Sequence, residues 1–218
     1  MKRILSSTLV FAGLLLSPTA VDAKQKAKPA TGTSITANDL RNCMGLNTTT
    51  PDEQIAVCTK IINSGKVKPP HHGDYYATRG SAYFAKGDVE KAMADFNKAI
   101  GIRQAPEFYF ERGLLNTSIR EWDAAKSDLD HVLKLKPAFA PAYLARGIVS
   151  YRMADFQEAL SYFDGAVQRS PTFYKGLFAR GVTKKKLGND AGGEKDIADA
   201  RGMSPKVDED LAKLGVKP

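Results

Sequence analysis

Three observations in the sequence predict an all-α fold that consists of a row of four helix–turn–helix units. Arg-Gly dipeptides recur at residues 79–80, 112–113, 146–147 and 180–181, so the units repeat every 33 or 34 residues. At the same three distances after each glycine stand a small residue, a large apolar residue and a further small or medium-sized apolar residue. Prolines at 137, 171 and 205 close three of the units. The residues at the three distances are Ala92, Ala125, Ala159 and Gly193; Phe96, Leu129, Phe163 and Ile197; and Ala99, Val132, Ala166 and Ala200.

This pattern resembles the tetratricopeptide repeat, whose units carry a glycine in the first helix, alanines and an aromatic residue in the second, and a terminal proline. The resemblance covers about residues 73–205 and implies a right-handed superhelical α-solenoid. Its physical basis is close packing, because Gly80 and Ala92 leave room for two helices to approach and Phe96 fills the gap beyond. The family's aromatic residue three positions after the glycine is Tyr83 in the first unit. It is replaced by Asn116, Ser150 and Lys184 in the others.

The repeats divide the chain into segments. Residues 72–105, 106–139, 140–173 and 174–205 are the four predicted units, and apolar residues at near-helical spacing within 206–218 predict a C-terminal capping helix. Residues 36–66 contain two predicted helices, which begin near Thr36 and at Thr50-Pro51-Asp52-Glu53, where a capping residue is followed by proline. These two helices are either a separate N-terminal cap or a degenerate fifth repeat, with the degenerate repeat favoured.

Residues 1–23 have the pattern of a secretory signal peptide. A positive start at Lys2 and Arg3 precedes a largely apolar stretch that is too short to span a bilayer, and small residues lead to a cleavage site after Ala23. Residues 24–35 read as a flexible basic linker. We therefore expect a soluble protein in the bacterial periplasm, with secretion beyond it as the alternative.

The two cysteines of the chain, Cys43 and Cys58, both lie in the N-terminal segment. In an oxidising compartment an even count favours a disulfide, which here would close a loop of about 15 residues and stabilise the fold by about 3 kcal/mol. A redox-active pair is the alternative, but the spacing differs from that of a C-x-x-C motif.

Charges also recur with the repeat. Arg79, Arg112 and Arg180 are each followed sixteen residues later by an aspartate, which predicts structural ion pairs between the two helices of a unit. The alternative is a row of ligand-binding arginines. In the third unit Tyr162 stands opposite Arg146, with Asp164 nearby. The predicted pairs are Arg79 with Asp95, Arg112 with Asp128, and Arg180 with Asp196.

The resemblance also implies a concave groove lined by the first helix of each unit. Carried over position by position, it predicts a floor that is largely apolar and a cationic C-terminal end. Packing between neighbouring units is the alternative role for the apolar members. The predicted groove residues are Phe84, Phe110, Leu114, Leu144, Ile148, Tyr151, Arg152, Lys175, Phe178, Val182, Lys185 and Lys186.

These features favour a non-enzymatic scaffold or adaptor that binds a protein or peptide with apolar anchors and acidic residues. The formal net charge of +8 is typical of nucleic-acid-binding proteins, but export argues against that partner. We find no phosphate-binding glycine loop or hydrolase motif and predict neither a cofactor nor a metal. The alternatives are a self-associating envelope protein and a small metal-binding protein that uses His71 and His72.

Overall fold

The computed structural model describes residues 34–47, 50–66 and 71–218. Within these residues the protein consists of eleven α-helices and has no strand, as the sequence predicted. The predicted signal peptide and nearly all of the predicted linker lie outside the described residues. Across the part that is described, no helix has both the length and the apolar character needed to cross a membrane. The helices are α1 (Ala37–Cys43), α2 (Pro51–Asn63), α3 (His72–Ala85), α4 (Val89–Ile102), α5 (Pro106–Ser118), α6 (Trp122–Leu135), α7 (Ala140–Arg152), α8 (Phe156–Arg169), α9 (Tyr174–Lys186), α10 (Asp190–Met203) and α11 (Val207–Lys213).

The N-terminal pair begins at the two predicted capping residues. Thr36 and Thr50 each accept a hydrogen bond from the backbone of an acidic residue three positions on, and that residue's carboxylate accepts one in return. Cys43 and Cys58 form a disulfide that links α1 to α2, which confirms the predicted pairing. Both cysteines are fully buried beside Ile61.

The repeated glycines explain how the two helices of a unit approach each other. A Cβ atom on Gly80 of α3 would lie 3.0 Å from the Phe96 ring of α4, and one on Gly147 of α7 would lie 2.5 Å from the Phe163 ring of α8. Contacts this short exclude a larger residue unless the aromatic ring moves. The predicted glycine–aromatic complementarity therefore sets the packing of the helix pairs α3/α4 and α7/α8.

The turn inside each unit requires a left-handed residue. Gly87 and Gly188 supply it in the first and fourth units, with φ of +79° and +85°. Arg120 and Ala154 hold the same position in the second and third units, with φ of 65° and 63°. A residue with a side chain is strained in this backbone region. The turns of the second and third units therefore carry conformational strain that the turns of the first and fourth units do not.

Helix α11 closes the C-terminal end of the array, as predicted. Val207, Leu211 and the following Val216 are fully buried in a cluster that also contains Phe178 and Val182 of α9. The chain therefore turns back after α10 and covers the first helix of the fourth unit.

Candidate partner-binding groove

Three of the repeat arginines hold the two helices of their own unit together. Arg79 donates from Nε and Nη2 to the two carboxylate oxygens of Asp95, at 2.7 and 2.8 Å. Arg112 and Arg180 bind Asp128 and Asp196 with the same two-pronged geometry. The three aspartates are 4 to 6% exposed. Each of these three guanidinium groups is therefore engaged by the two-pronged acceptor within its own unit.

The fourth arginine, Arg146, uses different partners. Its Nη2 donates to Glu158 at 2.8 Å and its Nε to Asp130 of the preceding unit at 3.1 Å, while the Tyr162 ring lies 4.5 Å from the guanidinium carbon. Asp164, expected near Arg146, instead accepts a hydrogen bond from Arg180 at 3.3 Å. The sequence pattern did not indicate Glu158, which lies twelve residues after the arginine rather than sixteen.

The polar residues that replace the family's aromatic residue support these pairs. Asn116 donates to Asp128 at 3.0 Å, Ser150 to Glu158 at 2.6 Å and Lys184 to Asp196 at 2.8 Å. Each adds one donor to the carboxylate that the repeat arginine binds. Each of the three departures from the family pattern therefore has a structural role in its own unit.

A groove of about 660 Å³ crosses the first helices of the units. Its floor is formed mainly by α5 and α7, and α3, the start of α9 and the C-terminal segment complete its borders. The Phe110 ring packs edge-on against Phe139, with ring centroids 5.2 Å apart, and remains partly exposed. Seven of the predicted groove residues line this space: Phe84, Phe110, Leu114, Leu144, Ile148, Arg152 and Lys175.

Five predicted groove residues lie elsewhere. Phe178 and Val182 are 0 and 1% exposed, because α11 packs over the face of α9 that the resemblance assigned to a ligand. Tyr151 is also buried, and its hydroxyl donates to the carbonyl oxygen of Lys217 at 3.4 Å. The Nζ atom of Lys185 lies 3.4 Å from Oε1 of Glu194 on α10, and Lys186 is exposed outside the groove.

The cationic end of the groove consequently has a different composition from the predicted one. Arg152 and Lys175 are joined there by Lys213 of α11, next to Leu214. Lys175 lies 3.7 Å from Asp210, whereas the Arg152 guanidinium packs over the Trp122 ring at 5.0 Å. No local pattern pointed to Lys213 and Leu214, since their place depends on the direction in which the chain turns back.

The histidines do not assemble a recognisable metal centre. His71 lies 3.7 Å from Asp74, whose carboxylate is also bound by Arg103. His72 buries its Nε2 without a hydrogen-bond partner in the described structure. Across residues 34–47, 50–66 and 71–218, no group of three or more His, Cys, Asp or Glu side chains is placed to hold a metal ion.

Comparison with known proteins identifies the repeat unit. Residues 73–106 match the family model described as "Tetratricopeptide repeat", and this range contains α3 and α4. Residues 73–106 are therefore similar to a tetratricopeptide repeat. The same repeat family is supported by the heat shock protein STI1 of Saccharomyces cerevisiae, to which the chain is 31% identical over 72 residues. That match covers 32% of this chain and only 12% of the yeast protein.

Solved structures with a similar fold cover most of the chain. A crystal structure of MamA superposes with a TM-score of 0.63 at 20% identity, covering 83% of this chain and 99% of the other. MamA residues 41 to the end from Desulfovibrio magneticus RS-1 give a TM-score of 0.65 at 17% identity, covering 79% of this chain and 98% of the other. At this identity the likeness shows the fold alone.

Proposed function

We propose that this protein is a non-enzymatic scaffold that binds a segment of a partner protein in the groove between Phe84 and Lys213. The observation that carries the proposal is the partly exposed apolar floor formed by Phe110 and Leu114. Elsewhere in the array, large side chains such as Phe96 and Phe163 are fully buried between helices. A floor of aromatic and aliphatic side chains that none of the helices α1 to α11 covers is suited to the apolar anchors of a bound segment.

The charges at the C-terminal end favour a partner segment that also carries an acidic residue. Arg152 and Lys213 line the groove, and neither forms a salt bridge within the described part of the chain. Opposite charge at an interface speeds encounter and fixes the register of the bound segment. The groove positions that would need Lys, Asn and Arg to hold a terminal carboxylate are mostly apolar here, so an internal segment fits better than a chain end.

Export to the bacterial periplasm is part of the proposal. The signal-like residues 1–23 support it, and so does the disulfide between Cys43 and Cys58, because such bridges persist in oxidising compartments. Fractionation of cells and thiol labelling of the denatured protein test this part. Protein recovered in the cytoplasm with two labelled cysteines would contradict it.

In-cell photocrosslinking tests the groove directly. A photoreactive residue at Phe110 should form an adduct with a partner protein, whereas the same residue at Leu135, which is 49% exposed and outside the groove, should not. The additional substitution Leu114→Ser should weaken the adduct without unfolding the protein. Equal adducts at both positions would contradict groove binding, and adducts of the chain with itself would indicate self-association instead.

A further inference from the structure

One carboxylate without a basic partner among the described residues lies in a small cavity that shares Phe110 with the groove. Glu111 of α5 immediately precedes the repeat arginine Arg112, and Ala145 holds the same position in the third unit, where it lines the groove. The Glu111 carboxylate accepts a single hydrogen bond, from the Ser81 hydroxyl of α3 at 3.4 Å. Burial raises the pKa of Glu111 above its ordinary value, and the Ser81 bond only partly opposes this.

The surroundings of Glu111 form a small cavity of about 230 Å³ that adjoins the main groove. Phe110 lines both spaces, so its ring forms the border between them. Phe139, Val132 and Pro106 supply apolar walls. The cation of this cavity, Lys136, is already engaged by Glu107, which leaves Glu111 without a salt bridge among the described residues.

A partly buried carboxylate without a cation is costly, since its lost hydration is only partly replaced by one hydroxyl. A guanidinium or ammonium group arriving at the cavity would replace that hydration. The cavity mouth therefore complements a basic side chain, while Arg152 and Lys213 at the other end of the groove complement an acidic one.

We propose that the groove binds a partner segment of defined charge polarity, with a Lys or Arg side chain at Glu111, apolar side chains over Phe110 and Leu114, and an acidic side chain at Arg152 and Lys213. This inference rests on the proposed function and specifies the chemistry of the partner. It makes Glu111 a specificity-determining residue.

The two charged ends also set the spacing of the segment. Arg152 lies one unit further along than Glu111 and about seven residues closer to the C-terminal end of its helix, which corresponds to about 10 Å of helical rise. Neighbouring helices lie about 8 to 10 Å apart, so the backbone positions of Glu111 and Arg152 are separated by roughly 14 Å. An extended chain covers that distance in about four residues.

Selection from a library of random peptides displayed on phage tests the proposal. The purified wild-type chain should enrich peptides that carry a basic residue about four positions from an acidic one, with apolar residues between. The Glu111→Gln variant should still enrich the apolar and acidic residues but lose the basic one. A synthetic peptide of the enriched sequence should bind Glu111→Gln about tenfold more weakly than wild type.

Glu90→Gln is the control, because Glu90 is exposed and lines neither the cavity nor the groove; it should leave the selection unchanged. Thermal unfolding of each variant verifies that it is folded. Enrichment of apolar and acidic residues without a basic one, identical for wild type and Glu111→Gln, would overturn this inference and leave the proposed function standing. Absence of any enrichment over Leu114→Ser would overturn both.

Discussion

Arg146 donates a hydrogen bond to Asp130, sixteen residues before it in the preceding unit, and has Tyr162 at the position sixteen residues after it, where the other three repeat arginines each bind an aspartate. Glu158 of its own unit provides the second carboxylate, through both terminal nitrogens of Arg146. The arginine is only 4% exposed, so both carboxylates compensate a charge that is largely withdrawn from water. Arg146 thereby connects the second unit to the third.

We expect the two carboxylates to contribute unequally to stability. Glu158→Ala should lower the free energy of unfolding by about 2 kcal/mol, because a buried guanidinium loses its two-pronged acceptor. Asp130→Ala should cost less than about 1 kcal/mol, since its side chain is 42% exposed and accepts one hydrogen bond. Chemical denaturation measures both, with Glu90→Ala as a control for loss of an exposed acidic residue in the first turn of a second helix. Equal effects would show that Arg146 does not depend on Glu158.

Acid should destabilise the array through the same carboxylates. Burial disfavours ionisation of Asp196, but hydrogen bonds from Arg180 and Lys184 outweigh it and hold the pKa of Asp196 below its ordinary value. The hydrogen bond from Arg146 likewise lowers the pKa of Glu158. A carboxyl whose pKa is lower in the folded state stabilises the fold above its unfolded pKa, and that contribution is lost as pH falls through the folded value.

The free energy of unfolding should therefore begin to fall near pH 4, around the ordinary pKa values of these carboxyls, and decrease further toward pH 2. Asp196→Asn should be less stable than wild type at pH 7 and should lose less on acidification. Denaturant titrations at pH 7, 5 and 3 measure how the free energy of unfolding of each protein changes with pH. If Asp196→Asn loses as much unfolding free energy on acidification as the wild type does, Asp196 does not contribute to the acid sensitivity.

The central turns offer a test in the stabilising direction. Ala154 is exposed and holds a φ of 63°, at the position where Gly188 serves in the fourth unit. Ala154→Gly should raise the free energy of unfolding by about 1 kcal/mol, because glycine adopts this conformation without strain. Gly87→Ala should lower it by a similar amount, although a Cβ at Gly87 would meet no atom within 4 Å. Equal stability of the pair would argue against strain in the turn.

The repeat register could be predicted from sequence because it depends on short-range geometry. Gly80 and Phe96, or Arg79 and Asp95, are separated by one tight turn, so a fixed spacing brings them together whenever both helices form. The disulfide was predictable for a similar reason, since two cysteines allow one pairing. The partners of Arg146 could not be predicted in this way, because one lies at a different spacing and the other lies in the preceding unit.

The groove was predicted less completely because part of it depends on tertiary direction. The first-helix positions of the second and third units line it as the resemblance implied, at Leu114 and Leu144. In the fourth unit the same logic failed at Phe178, because α11 folds back over that face. The apolar residues of α11 indicate that it packs somewhere, but their spacing does not say against which helix.

Phe178 and Phe110 should consequently differ when replaced. Phe178→Ala should lower the free energy of unfolding by about 3 to 5 kcal/mol, since a fully buried aromatic ring leaves a cavity under α11. Phe110→Ala removes a partly exposed ring and should cost less than half as much, while abolishing the photocrosslink made from the neighbouring Phe84. Denaturation together with crosslinking from Phe84 separates the two roles. A large loss of stability in Phe110→Ala would place that ring in the core.

Replacement of Glu111 should weaken partner binding while it increases the stability of the fold. Burial raises the pKa of this carboxyl, so its ionised form destabilises the fold, and that cost is present at neutral pH and disappears as pH falls through the folded value. The other charged groups at the same cavity, Glu107 and Lys136, pair with each other and do not offset it.

Glu111→Gln should therefore unfold at a higher temperature than wild type at pH 7, and the difference should shrink toward pH 4. Glu90→Gln should show no such gain, because Glu90 is exposed and lies outside the cavity and the groove. A residue whose replacement stabilises the protein while it weakens partner binding serves recognition and not the fold. If Glu111→Gln instead lowers the melting temperature at pH 7, the carboxylate serves the fold as an acceptor for Ser81, which contradicts its assignment to recognition.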